Sequence, residues 1–240
     1  MLHEKYKVLL FDLDDTLFNH SYCYKKAVTD TVKFHDCLNH LDEEVFFKTF
    51  AKNNQQLWKE FQCKRITFQE LTLKRLISTL NQLYINISLE ETESINEFYH
   101  GNYLKNIVPD PQIQKLLKRL KGIFKMGIVT NGTSFNAYKK VQRLGLNDVF
   151  GDEYIIVSEE TGYSKPEPQI FYHVLEKFKI NPEETLFVGD NYYTDICGAS
   201  SIGMDTIWVN HFDLKPPTDT IPTYTVKSIF AIVERLRIKI

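Results

Sequence analysis

The run Val8-Leu9-Leu10-Phe11, followed at once by Asp12-Leu13-Asp14-Asp15-Thr16, constrains this chain more than any other stretch. A strand with no polar face must be covered on both sides, as strands are in a parallel sheet. Carboxylates set at the end of such a strand repel one another and resist burial, so the fold alone gives no reason for them. In open α/β sheets, ligands bind outside the carboxyl ends of the strands. The stretch therefore predicts an architecture and a place for chemistry within it. A solvated, aspartate-rich turn is the competing reading, and the rest of the chain weighs against it.

Past Leu17 the pattern changes. Positions 18–105 contain no proline and only Gly101. Val45, Phe46, Phe50, Leu57 and Phe61, then Phe68, Leu71, Leu76 and Leu80, recur at three- and four-residue spacing, which predicts amphipathic helices packed as a bundle. Phe46, Phe47, Phe50, Trp58 and Phe61 are expected in its interior. Thr67-Phe68-Gln69-Glu70 reads as a capping box one residue off the ideal spacing, which leaves that helix start open.

Pro109 and Pro111 mark a return, with Asp110 as a cap for a helix through Leu120. Strands are then predicted over 124–130, 154–157, 185–188 and 206–209. They alternate with helices over 135–144, 169–178 and 194–202, and a closing helix runs over 226–236. Such alternation means an α/β fold: a doubly wound, parallel-sheet (Rossmann-like) core with an inserted all-helical cap domain. The expected division is 1–17 and 106–240 for the core and 18–105 for the cap.

A formal net charge of -2 with 25% charged residues gives no electrostatic basis for binding a nucleic-acid polymer or an anionic membrane. No apolar run approaches the ~20 residues of a membrane span. The first residues lack a signal-peptide layout, and Cys23, Cys37, Cys63 and Cys197 are scattered without a C-x-x-C pair, so a reduced, cytoplasmic setting is expected.

A parallel sheet brings all strand ends to one edge. There Asp12, Asp14 and Thr16 would meet Thr130-Asn131-Gly132, Lys165, Gly189-Asp190 and Asp195. Several acids at one edge need a cation, and hard oxygen donors without His or Cys point to Mg²⁺. Lys165, Thr130 and the amides near Asn131 would hold an anion. Cation, anion cradle and spare carboxylate together suit phosphoryl transfer.

These same residues carry a family resemblance. Asp12-Leu13-Asp14-Asp15-Thr16 resembles the D-x-D-x-T first motif of the haloacid-dehalogenase-like superfamily. Val129-Thr130-Asn131-Gly132 resembles its second motif, Lys165 its third, and Gly189-Asp190 through Asp195 its fourth, in order across the core. The resemblance implies that Asp12 is a nucleophile forming an aspartyl phosphate and Asp14 the general acid and then base. It implies that Asp12, the Asp14 carbonyl and Asp190 are Mg²⁺ ligands. Asp195 would support the metal's water shell or Lys165, and Thr130, Asn131 and Lys165 would bind phosphate. Dehalogenases of this superfamily lack the second carboxylate, so Asp14 favours a phosphatase.

The insert resembles the helical cap of the superfamily's first subclass, which closes over the site and excludes water. Gly189-Asp190-Asn191 through Ala199, with Thr206-Ile207-Trp208-Val209-Asn210, resembles the 5′-nucleotidase branch. The expected activity is therefore hydrolysis of a small phosphorylated metabolite, with a nucleoside 5′-monophosphate as the preferred substrate, by a monomer or weak homodimer. A phosphosugar phosphatase or mutase, and a phosphate-sensing regulatory module, stay open as alternatives. Phe18, Asn19, His20 and Tyr22, just past the first motif, are candidates for a substrate mouth, with hinge packing as the rival role; His100 and Tyr103 share that doubt. Asp15 reads as a solvated or capping acid.

Overall fold

The computed structural model describes residues 2–238, with side chains from Glu4 onward. Strand β1, Val8–Phe11, is buried along its whole length. Val8 and Leu10 face one core cluster with Val129, Ile170, Phe171 and Phe187. Phe11, on the alternate parity, meets the Phe150 ring edge-on at 6.0 Å. Burial on both faces is what the unbroken apolar run requires.

Around β1 stand β2 (Lys125–Thr130), β3 (Ile155–Val157), β4 (Thr185–Gly189), β5 (Asp205–Val209) and β6 (Tyr224–Val226). The order is β3-β2-β1-β4-β5-β6. Every pairing is parallel, with Phe11 opposite Ile128 on one side and Val188 on the other. The core is thus a doubly wound, Rossmann-like sheet. Its order reverses between β1 and β4, where such sheets bind ligands.

The helical insert contains helices His20–Phe34, Glu43–Gln62, Phe68–Gln82 and Leu89–Asn106. The first packs on the last, and the second on the third. Two compact units result: one formed by the chain up to Asn19 and from Val108 onward, the other His20–Ile107. Of the core stretches expected from sequence, Met1, Lys239 and Ile240 lie outside the described residues. Among the described residues, no helix is long and apolar enough to cross a membrane.

Several local expectations are corrected. Thr67 and Glu70 form a full capping box: the Glu70 amide donates to Thr67 Oγ1 and the Thr67 amide to Glu70 Oε2. The spacing is the ideal one, and that helix starts at Phe68. Val45 is 52% exposed, whereas Phe46 and Phe50 are buried; Phe47, Trp58 and Phe61 are half-buried. The closing helix over 226–236 does not form as one piece. Tyr224–Val226 is a sixth strand on β5, and only short turns at Ile229–Ala231 and Ile232–Arg235 follow. The helix expected over 194–202 is instead a wider-wound turn, Tyr192–Cys197, continued by Gly198–Ser200.

Candidate active site

Asp12 leaves β1 with its amide donating to the Val188 carbonyl at 2.9 Å, so the sheet itself fixes the backbone of this residue. Its side chain is buried and accepts from Lys165 Nζ at 2.5 Å. The same ammonium meets Asp195 Oδ1 at 2.8 Å, where Asp195 is fully buried. Burial works against the Lys165 charge, but the Asp12 and Asp195 carboxylates outweigh it and raise its pKa above the ordinary lysine range.

The loop that delivers Lys165 is clamped by Asn131 at the end of β2. Asn131 Nδ2 donates to the Lys165 carbonyl, and the Lys165 amide donates to Asn131 Oδ1, both at 2.8 Å. The Asn131 side chain, expected on the anion, therefore grips the lysine backbone. Lys165-Pro166 is a cis peptide. Thr130 is buried at the last position of β2.

On the other side of β1, β4 ends in Gly189 and Asp190. A Cβ on Gly189 would fall 2.3 Å from Asp195 Oδ2, so the buried acid needs a glycine there. Thr16 brackets Asp190, donating its hydroxyl to Oδ1 and accepting from the Asp190 amide, each at 3.1 Å. Trp208 Nε1 on β5 donates to the Asp190 carbonyl at 2.8 Å. Asn191, rather than Asp195, caps the following turn through the amides of Tyr193 and Thr194.

Asp12, Asp190 and Asp195 each offer an oxygen, all within 4.8 Å of one another. Asp12 and Asp195 thus share one buried ammonium, with Asp190 beside them. Burial pushes the Asp12 carboxyl well above the usual range against the opposing Lys165 charge, with Asp195, Asp190 and Asp14 adding to the rise, and burial with the Asp195 and Asp15 charges raises Asp190 to about 7. An all-oxygen set with surplus negative charge fits a hard divalent cation, which would relieve that repulsion.

Asp14 is not one of these three acids, though its charge bears on Asp12. Both its oxygens accept from Lys140 Nζ, at 2.8 and 2.6 Å. Sequence reasoning missed Lys140, although its helix, Ser134–Arg143, buries Ala137 and Val141 on the same stripe. A lysine on an apolar stripe was the available signal. His211, also missed, meets the Asp15 carbonyl through Nε2 at 2.9 Å, and Asp15 itself takes φ 57°, a left-handed turn that aspartate tolerates.

Of the mouth candidates, Phe18 lies 5.9 Å below the Lys140 ammonium and Asn19 is exposed. Tyr22 is 60% exposed. His20 Nδ1 pairs with the Tyr103 hydroxyl at 2.7 Å, a packing contact inside the helical unit.

A doubly wound sheet with acids and a buried lysine gathered at its switch point defines a class of hydrolase, and comparison with known proteins makes it specific. Residues 6–203 match the haloacid dehalogenase-like hydrolases, and the chain belongs to that family. It is 30% identical to pyrimidine 5′-nucleotidase YjjG of Escherichia coli, over 97% of this chain and 98% of that one. It is also 30% identical to glyceraldehyde 3-phosphate phosphatase of Pyrococcus abyssi, over 85% and 82%. The crystal structure of the HAD-hydrolase YfnB from Bacillus subtilis, bound to magnesium, superposes with a TM-score of 0.81 at 28% identity, covering 98% of this chain and all of that one.

Proposed function

We propose that the protein is a Mg²⁺-dependent phosphomonoesterase that works through an aspartyl phosphate. The observation that carries this is Asp12, buried at the sheet's switch point and held by Lys165 beside Asp190 and Asp195. Asp12 attacks phosphorus; the bond to the leaving oxygen breaks as Asp14 gives that oxygen a proton. Water then attacks the aspartyl phosphate, yields its proton to Asp14 and frees phosphate and Asp12. Lys140 holds both Asp14 oxygens and so orients this carboxyl for the two proton transfers.

Lys165 keeps Asp12 oriented and meets the phosphoryl oxygens, with Thr130 and the amides after β2 as further donors. Asp12, Asp190 and the Asp14 carbonyl would hold Mg²⁺, with Asp195 in support; when bound, the ion neutralises charge on the transferring group.

We infer nucleoside 5′-monophosphates as the preferred substrates, supported by the nearly end-to-end match to a relative named pyrimidine 5′-nucleotidase. The match to a relative named glyceraldehyde 3-phosphate phosphatase supports a second reading, a small phosphosugar. Phosphate release from both substrate classes separates the two. Asp12→Asn is expected to lower turnover of an aryl phosphate by at least about 10⁴-fold. EDTA should abolish the wild-type rate and Mg²⁺ restore it. Near-wild-type turnover by Asp12→Asn would sink the mechanism.

A further inference from the structure

The helical unit holds a buried cation for which the proposed chemistry has no use. Arg75, in the helix Phe68–Gln82, is only 4% exposed. Its guanidinium lies against two adjoining aromatic rings, 4.4 Å from the Phe50 centroid and 4.8 Å from that of Tyr99, the rings themselves 5.2 Å apart. Nη1 donates to Asn54 Oδ1 at 2.8 Å. Nε and Nη2 are buried and meet no protein acceptor. Burial raises the Tyr99 hydroxyl, and the Arg75 charge and its side-chain interaction with that hydroxyl offset part of the rise, although neither Nε nor Nη2 reaches it with hydrogen-bond geometry. Among the described residues, no carboxylate pairs with Arg75.

The side-on edge of a guanidinium, Nε with Nη2, is the fork that grips two oxygens of one carboxylate or phosphate. Here that fork is the edge left unbonded, while Nη1 is engaged by Asn54 and the Phe50 and Tyr99 rings lie against the guanidinium. The Tyr24 hydroxyl is also buried without a partner, and its ring packs against Phe50 and Tyr99. His100, near enough to feel the Arg75 charge, is held neutral mainly by burial. The cluster is therefore rich in donors, positively charged and shielded from water. The two rings offset part of the cost of burying the cation. They leave the in-plane hydrogen bonds unmade, and those need an acceptor.

We propose that the helical unit contains an oxyanion site of its own, in which the Arg75 fork and the Tyr24 hydroxyl take a carboxylate or phosphate group. The site stands whether or not the aspartyl-phosphate reading holds, because it uses none of the same residues.

The test uses full-length, metal-free protein labelled with ¹⁵N. The Nε–H resonance of Arg75 is assigned by its loss in Arg75→Lys, against those of Arg65, Arg119, Arg143, Arg235 and Arg237. Inorganic phosphate and acetate are the probes, and binding should shift the Arg75 signal saturably and slow its exchange. Arg75→Lys keeps the charge and removes the fork. In that variant the ring signals of Tyr24 and His100 should need about tenfold more phosphate for the same response. A response to the free ions identifies a free-anion site. A response only when the oxyanion is carried on a larger phosphoester, added to Asp12→Asn protein, identifies an acid group of the substrate. An Arg75 signal unmoved by every probe, or an unchanged phosphate response in Arg75→Lys, overturns the proposal.

Discussion

At the scale of single residues, the site depends on atoms that a motif does not display. Gly189 is required because Asp195 lies where its Cβ would be. Gly189→Ala should cost about 1–3 kcal/mol of stability, read by urea unfolding, since one of two well-packed groups must move. Lys140→Met should lower kcat about tenfold by releasing Asp14, with KM little changed and partial rescue by Lys140→Arg. Equal kcat in all three proteins would deny Lys140 a positioning role. Asp12 and Asp190 could be found from sequence because each directly follows a strand that a parallel sheet brings to one edge, and Lys165 and Asp195 because they lie in the loop and the turn that follow β3 and β4. The Asn131 clamp and the Lys140 pair could not. Both depend on side-chain directions that are decided only once the loop after β3 and the helix after β2 are in place.

At the scale of elements, legibility followed periodicity. Buried strands β1, β2 and β4 and helices with apolar stripes are written in the chain, and they form where the pattern puts them. The sixth strand was missed because Tyr224-Thr225-Val226 is three residues long at the sheet edge, with Thr225 exposed and so no apolar run to see. The wider turn over Tyr192–Cys197 was read as an ordinary helix, since spacing alone does not distinguish the two. The capping box at Thr67 gives a prediction of its own. Thr67→Ala should destabilise the helical unit by about 1 kcal/mol, and Thr67→Ser should restore most of it. A substitution without effect on the urea midpoint would mean that tertiary packing alone sets this helix end.

At the scale of the whole molecule, the two units carry different electrostatic loads. Burial, with the Arg75 charge adding to it, lowers His100 from 6.5 to about 4. An unfolded chain takes up this proton below pH 6.5, the folded one only near 4. The contribution of His100 is therefore complete above about pH 6.5 and is lost progressively as the pH falls towards 4, by up to roughly 3 kcal/mol. The difference in unfolding free energy between wild type and His100→Gln should vary with pH in that window and be flat above it; a constant difference would contradict the assignment. The sheet order bears on a different event, the making of the chain. β1 is one of the two central strands, yet Val8 pairs with Lys125 and Thr185, which lie more than a hundred residues later. At ribosomal speeds of about 5–20 residues per second, this apolar segment waits on the order of ten seconds for its first neighbour to be translated. During that time it is a sticky, unpartnered ribbon. Lys5 and Lys7 before it and Asp12 after it flank that ribbon with charge, the placement that restrains misassociation of an exposed strand while the chain is still being born.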